Sequence, residues 1–101
     1  MVYELLTAGR ENARTGAYLA RILKCTPRDI SRQVETERRA GLPICAATGE
    51  NPGYYIAADE KELQAYCDSL KGRAIEVFKT RQALIRILKR AAEKKQMTGE
   101  A

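Results

Sequence analysis

The sequence predicts an α+β, mainly α chain of 101 residues: three helices and a β-hairpin over 1–58, then a long C-terminal helical segment over 59–101. Three observations carry this reading. Two stretches between residues 16 and 40 have apolar side chains three and four apart, and each is opened by a threonine. A cluster of turn formers at 48–53 separates a short apolar run from one rich in aromatic residues. From Asp59 on, apolar residues recur at alternating steps of four and three, the spacing of a helix with one buried stripe.

Val2, Leu5 and Leu6 make a short apolar face ending at Gly9, so residues 2–8 are expected to form one or two helical turns, followed by a polar loop to Arg14. Thr15 suits the N-cap of a helix from Gly16 to Leu23, with Tyr18, Leu19, Ile22 and Leu23 at helical spacing. Lys24-Cys25 interrupts it. Thr26 then caps the next helix. Pro27 takes the first helical position, where its missing N–H costs nothing, and Asp29 lies beside the positive end of the helix dipole. That helix is expected to reach about Ala40, where Gly41 supplies a left-handed stop. Two helices joined by a three-to-four-residue turn, the second bearing arginines, form a helix-turn-helix pattern.

Leu42 to Ala47 reads as a strand with its proline at the start, Thr48 to Gly53 as a turn, and Tyr54 to Ala57 as a second strand. A hairpin directly after a helix-turn-helix is a wing. Asp59-Glu60-Lys61-Glu62 has the spacing of a capping box and opens the long helix. Its seam is Leu63, Cys67, Leu70, Ala74, Val77, Leu84, Leu88 and Ala91, broken by Arg81, with Gly72 as a place for a kink or boundary. Tyr66, Phe78 and Ile85 widen the stripe. Two uses of it stay open: a coiled-coil homodimer, or packing back onto the first domain. Residues 96–101 are expected to fray.

Composition narrows the function classes. The net charge is +5; residues 10–39 hold eight Lys/Arg against four Asp/Glu, and residues 71–95 hold nine against two. Such a surplus suits a polyanionic partner. With no histidine and three widely spaced cysteines, neither a zinc site nor a Cys-His nucleophile is expected, and Cys25, Cys45 and Cys67 are read as buried small hydrophobes. No Gly-rich phosphate loop or carboxylate pair stands out. The expectation is a protein without enzymatic activity, metal, cofactor or small-molecule ligand. No apolar run approaches a membrane span and no secretory pattern opens the chain, so a cytoplasmic location is expected.

The motifs Leu19-Ala20-x-x-Leu23, Thr26-x-x-x-Ile30-x-x-x-Val34, Arg38-x-x-Gly41 and Gly53-Tyr54-Tyr55-Ile56 have a familiar arrangement. Residues 15–57 resemble the winged helix-turn-helix domain at the N-terminus of biotin-operon repressors and in small bacterial, phage and prophage regulators. The resemblance covers a little under half the chain. It implies sequence-specific binding of double-stranded DNA, a role in transcription regulation, and a bacterial or phage-infected host cell. One position departs from the pattern: Glu37 stands where leucine usually precedes Arg38. A carboxylate there is expected either to reach solvent or to pair with a nearby arginine.

With Ile30 and Val34 facing inward, the opposite face of their helix carries Arg28, Ser31, Arg32, Glu35 and Arg39. In this motif the early residues of the second helix enter the major groove. The resemblance therefore makes Arg28, Ser31, Arg32 and Gln33 base-reading candidates, with arginine suited to guanine O6 and N7. Arg14, Thr15, Thr26 and Arg39 are candidates for the DNA backbone, and Thr48 and Asn51 for the wing. A plainer reading pairs Arg28 and Arg32 with Asp29 and Glu35 on a solvated helix. The wing tip holds Glu50 and no cation of its own, so contact between wing and DNA is left open. The alternative function is a non-enzymatic phage replication, packaging or protein-interaction module, since a fold alone does not settle function.

Overall fold

A computed structural model describes residues 1–97. It contains α1 (Gly16–Leu23), α2 (Pro27–Arg39), β1 (Ile44–Ala47), β2 (Gly53–Ile56) and α3 (Glu60–Met97), with single 3-10 turns at Tyr3–Leu5 and Arg10–Asn12. The chain divides into a compact unit, Met1–Cys67, and a second unit from Asp68 onward that consists of the rest of α3. The mainly helical α+β class is as expected. Residue 96, where fraying was expected to begin, is still helical, and 98–101 lie outside the described residues. α3 also runs through Gly72 without interruption.

Local chemistry accounts for the helix ends. The Thr15 hydroxyl accepts the Tyr18 N–H at 3.1 Å. Thr26 and Asp29 form a reciprocal capping box, Asp29 N–H to Thr26 Oγ1 at 3.2 Å and Thr26 N–H to Asp29 Oδ2 at 3.0 Å. At the far end of α2 the Gly41 N–H reaches the Arg38 carbonyl and the Leu42 N–H the Glu37 carbonyl, with Gly41 at φ 102°. This is a Schellman ending. α3 starts with Asp59 Oδ1 accepting the Glu62 N–H at 2.8 Å, while the Glu62 carboxylate reaches back to the Ala58 N–H rather than to that of Asp59.

The Thr26 backbone N–H, and after it the Thr26 hydroxyl, holds the Asp29 carboxyl below the ordinary aspartate range. A depressed folded value stabilises the fold above the unfolded value, and the gain is lost as pH falls through the folded one. Acid titration followed by circular dichroism should therefore show a loss of helix below the usual aspartate range. Asp29→Asn should be less stable than the parent at neutral pH and converge on it in acid. A difference independent of pH would rule out the capping carboxylate as its source.

The hairpin is antiparallel, with Ile44 opposite Ile56 and Ala47 opposite Gly53. Because side chains alternate across strands, it separates two apolar clusters. Val2, Leu6, Leu19, Ala20, Ile30, Val34 and Ile44 form the first, with Tyr54 and Ile56 against it. Cys45, Tyr55 and Tyr66 form the second, joined by Leu63 from the first turns of α3. Burial pushes the Cys45 thiol up, so it stays a neutral packing group.

Several expectations need correction. Residues 2–8 do not form a helix beyond the turn at Tyr3–Leu5: Leu6 is extended, and Thr7 and Gly9 pair through their backbones with Ile56. Arg14, expected in a loop, exchanges two backbone hydrogen bonds with Tyr54. The free edge of β2 is thus covered by the N-terminal segment, which removes a site for unwanted strand pairing. The first strand begins at Ile44 rather than Leu42, and the second ends at Ile56. Of the cysteines only Cys45 is buried; Cys25 and Cys67 are exposed. Cys25 falls in the α1–α2 turn, and the seam residue Cys67 sits on the solvent side of α3, one position past Tyr66, which takes the place in the cluster.

Glu37 differs most from expectation. It neither reaches solvent nor pairs with an arginine; at 2% exposure it accepts the N–H groups of Val2 at 2.9 Å and Tyr3 at 2.8 Å. These belong to the opening of the first 3-10 turn, whose donors have no partner within the turn itself. The carboxylate thus ties the N-terminal segment to α2. Its neighbour Arg38 ties the other side. Its Nε donates to the Ile44 carbonyl and its Nη2 to the Tyr66 hydroxyl, both at 2.8 Å.

Candidate nucleic-acid interface

The outer face of α2 is built by the same periodicity that buries its inner one. Ile30 and Val34 are each 1% exposed, and the opposite side chains of Arg28, Ser31, Arg32, Glu35, Thr36 and Arg39 line one open furrow. The charges on this face are sorted. Glu35 is engaged by Arg38 at 3.2 Å and by Arg39 at 3.6 Å. None of the ion pairs among the described residues uses Arg28 or Arg32. After the Thr26 N–H and hydroxyl, Arg32 is nevertheless near enough to Asp29 to help hold its carboxyl down, as the weakest of the causes. Gln33 is exposed as well.

Other candidates carry structural duties. The Ser31 hydroxyl shares a hydrogen bond with the Tyr54 hydroxyl at 3.2 Å, which joins α2 to β2. Thr15 and Thr26 use their side-chain oxygens as helix caps. The Arg14 guanidinium lies over the Tyr18 ring, 5.2 Å from its centroid, and its Nη1 donates to the Tyr18 hydroxyl at 2.9 Å. Its Nε is buried without a hydrogen-bond partner. Thr15, Gly16, Pro27 and Ser31 line a second open cleft together with the hairpin residues Ala46, Ala47, Pro52, Gly53 and Tyr54. The starts of α1 and α2 thus share one surface with the hairpin.

The hairpin turn is anchored from a distance. Asn51, at φ 53°, donates from its amide to the Glu11 carbonyl at 2.8 Å, so this amide is committed within the chain. The Arg10 guanidinium donates to the Thr48 carbonyl at 3.1 Å and reaches the Glu50 carbonyl at 3.5 Å. The turn has no cation in its own sequence, yet an exposed arginine from the Arg10–Asn12 turn lies against it. Sequence reading missed Arg10, and Tyr54 as the partner of Ser31. Both contacts join segments far apart in the chain, and no local spacing signals them.

The seam candidates divide between the two units. Leu63 belongs to the second apolar cluster of the first unit. In the second unit Leu70, Val77, Leu84 and Leu88 are exposed, as are Ile75, Phe78 and Ile87. Among the described residues no helix is long and apolar enough to cross a membrane, and no group of side chains could hold a metal ion. Comparison with known protein families, curated proteins and solved structures found no match.

Proposed function

We propose that the chain is a winged helix-turn-helix protein that binds double-stranded DNA in a sequence-dependent way, as a transcription regulator of the phage or prophage type. The observation that carries this reading is the outer face of α2, where Arg28 and Arg32 are exposed and take no part in the salt bridges among the described residues, while Ile30 and Val34 anchor the helix from behind. Four residues of helix advance about 6 Å, close to two steps of about 3.4 Å along DNA. The two guanidinium groups are therefore suited to guanines about two base pairs apart. Glu35 opposes phosphate less than its charge suggests, because Arg38 and Arg39 already hold it. The hairpin acts as the wing, and Arg10 supplies the cation that its own turn lacks.

Selection of bound duplexes from a random library tests the reading, followed by a salt series on the selected site. Specific binding whose log affinity falls linearly with log salt is expected. Arg28→Ala or Arg32→Ala should each weaken the selected site by about 1–3 kcal/mol and relax the preference at one position, with little loss of stability. Unchanged binding in both variants removes α2 from the interface. A second reading, a protein-interaction module, draws support from Tyr18, Ile22 and Leu23, apolar side chains exposed on α1. Absence of any duplex affinity at low salt favours it.

A further inference from the structure

The outer part of α3, taken by itself, has an exposed apolar stripe that the DNA reading does not explain. Val77 is 70% exposed, Leu84 57% and Leu88 68%. Between Ala74 and Ala91 four of the five basic residues are kept off the stripe. In the heptad that runs through Ala74, Val77, Leu84, Leu88 and Ala91, the charged residues Lys79, Arg86, Lys89 and Arg90 fall on the far side of the helix. Arg81 alone interrupts the seam between 74 and 91. A lipid or acidic partner would gain from cations beside the stripe. A stripe nearly cleared of charge suits a second basic helix of the same kind.

Arg81 also selects the orientation. In a parallel in-register pair both Arg81 side chains would meet in one core layer, and the seam offers no carboxylate to either. An antiparallel pair whose two-fold axis passes between Gln82 and Ala83 avoids this. Ala74 then meets the partner's Ala91, Val77 the partner's Leu88, and Arg81 the partner's Leu84. Helical side chains lean toward their own N-terminus, so the two guanidinium groups diverge from the axis and reach solvent along their stems. Phe78 flanks the partner's Ile85, which uses the part of the stripe that a strict two-position seam leaves bare. We propose that residues 74–91 of α3 pair antiparallel with the same segment of a second copy of this chain.

The test is cysteine cross-linking of the full chain with exposed Cys25 and Cys67 changed to serine. The antiparallel pair places Ala74 beside the partner's Ala91 and sets the two Ala91 residues about 26 Å apart, from 1.5 Å per residue. A mixture of Ala74→Cys and Ala91→Cys chains should oxidise to a linked dimer, while Ala91→Cys alone should stay unlinked. In sedimentation equilibrium the parent should have the mass of two chains. Leu84→Asp should be monomeric and Lys89→Asp, on the far side, should remain a dimer. Self-linking of Ala91→Cys overturns the orientation. A parent that stays monomeric at high concentration overturns the pairing, as does one that is monomeric in solution and collects on phosphatidylglycerol vesicles. Duplex binding is a separate readout, so neither result depends on the DNA reading.

Discussion

Glu37→Leu is expected to destabilise the first unit by about 3–4 kcal/mol. The carboxylate is 2% exposed and accepts two backbone N–H groups, from Val2 and Tyr3. Leucine fills much of the volume but accepts nothing. Each buried donor left without a partner costs about 1–3 kcal/mol, and the gain from a larger apolar side chain offsets only part of that. Glu37→Gln retains one acceptor oxygen and should fall between the two. Urea unfolding followed by circular dichroism measures the series. A loss below about 1 kcal/mol for leucine would mean that the N-terminal segment is not held by this contact.

Gly53→Ala should have an effect of similar size, about 3 kcal/mol or more, for a different reason. Gly53 has φ 131°, and a Cβ there would be driven into the Arg14 carbonyl and stand 2.7 Å from the Thr15 nitrogen. Both neighbours are backbone, and Arg14 is paired with Tyr54, so relief requires breaking the contact that closes the edge of β2. Gly41→Ala is the control. Its φ of 102° is also left-handed, but nothing lies within 4 Å of the added carbon. That variant should cost only the backbone preference, about 1 kcal/mol. Equal thermal shifts in the two variants would show that conformation, rather than the close approach to Arg14, sets the need for glycine at 53. Gly53→Ala should also loosen the hairpin against Ser31 and Tyr54, and so weaken duplex binding if the hairpin is a wing.

The parts of the fold that were legible depend on neighbours within about one helical turn. Thr15, Thr26 and Asp59 are caps because their side chains meet N–H groups three residues on. Ile30 and Val34 face inward because four residues return a side chain to the same side. The same periodicity puts Arg28 and Arg32 on the outer face. What periodicity cannot say is which outward residue is already taken. Ser31 is held by Tyr54 and Asn51 by Glu11, while Arg10 supplies the hairpin turn with a charge.

By its local patterns alone, the amino-acid order determined the limits of α1 and α2, the start of α3 and which side of α2 is cationic. Only the tertiary structure decided the destinations of Glu37, Arg38 and Leu63, which meet Val2, Tyr66 and the cluster of Cys45 and Tyr55. The physical reason is range. Caps, turns and helical faces are set by interactions over three or four residues, whereas a buried carboxylate finds its donors only after collapse has brought a remote backbone segment alongside it.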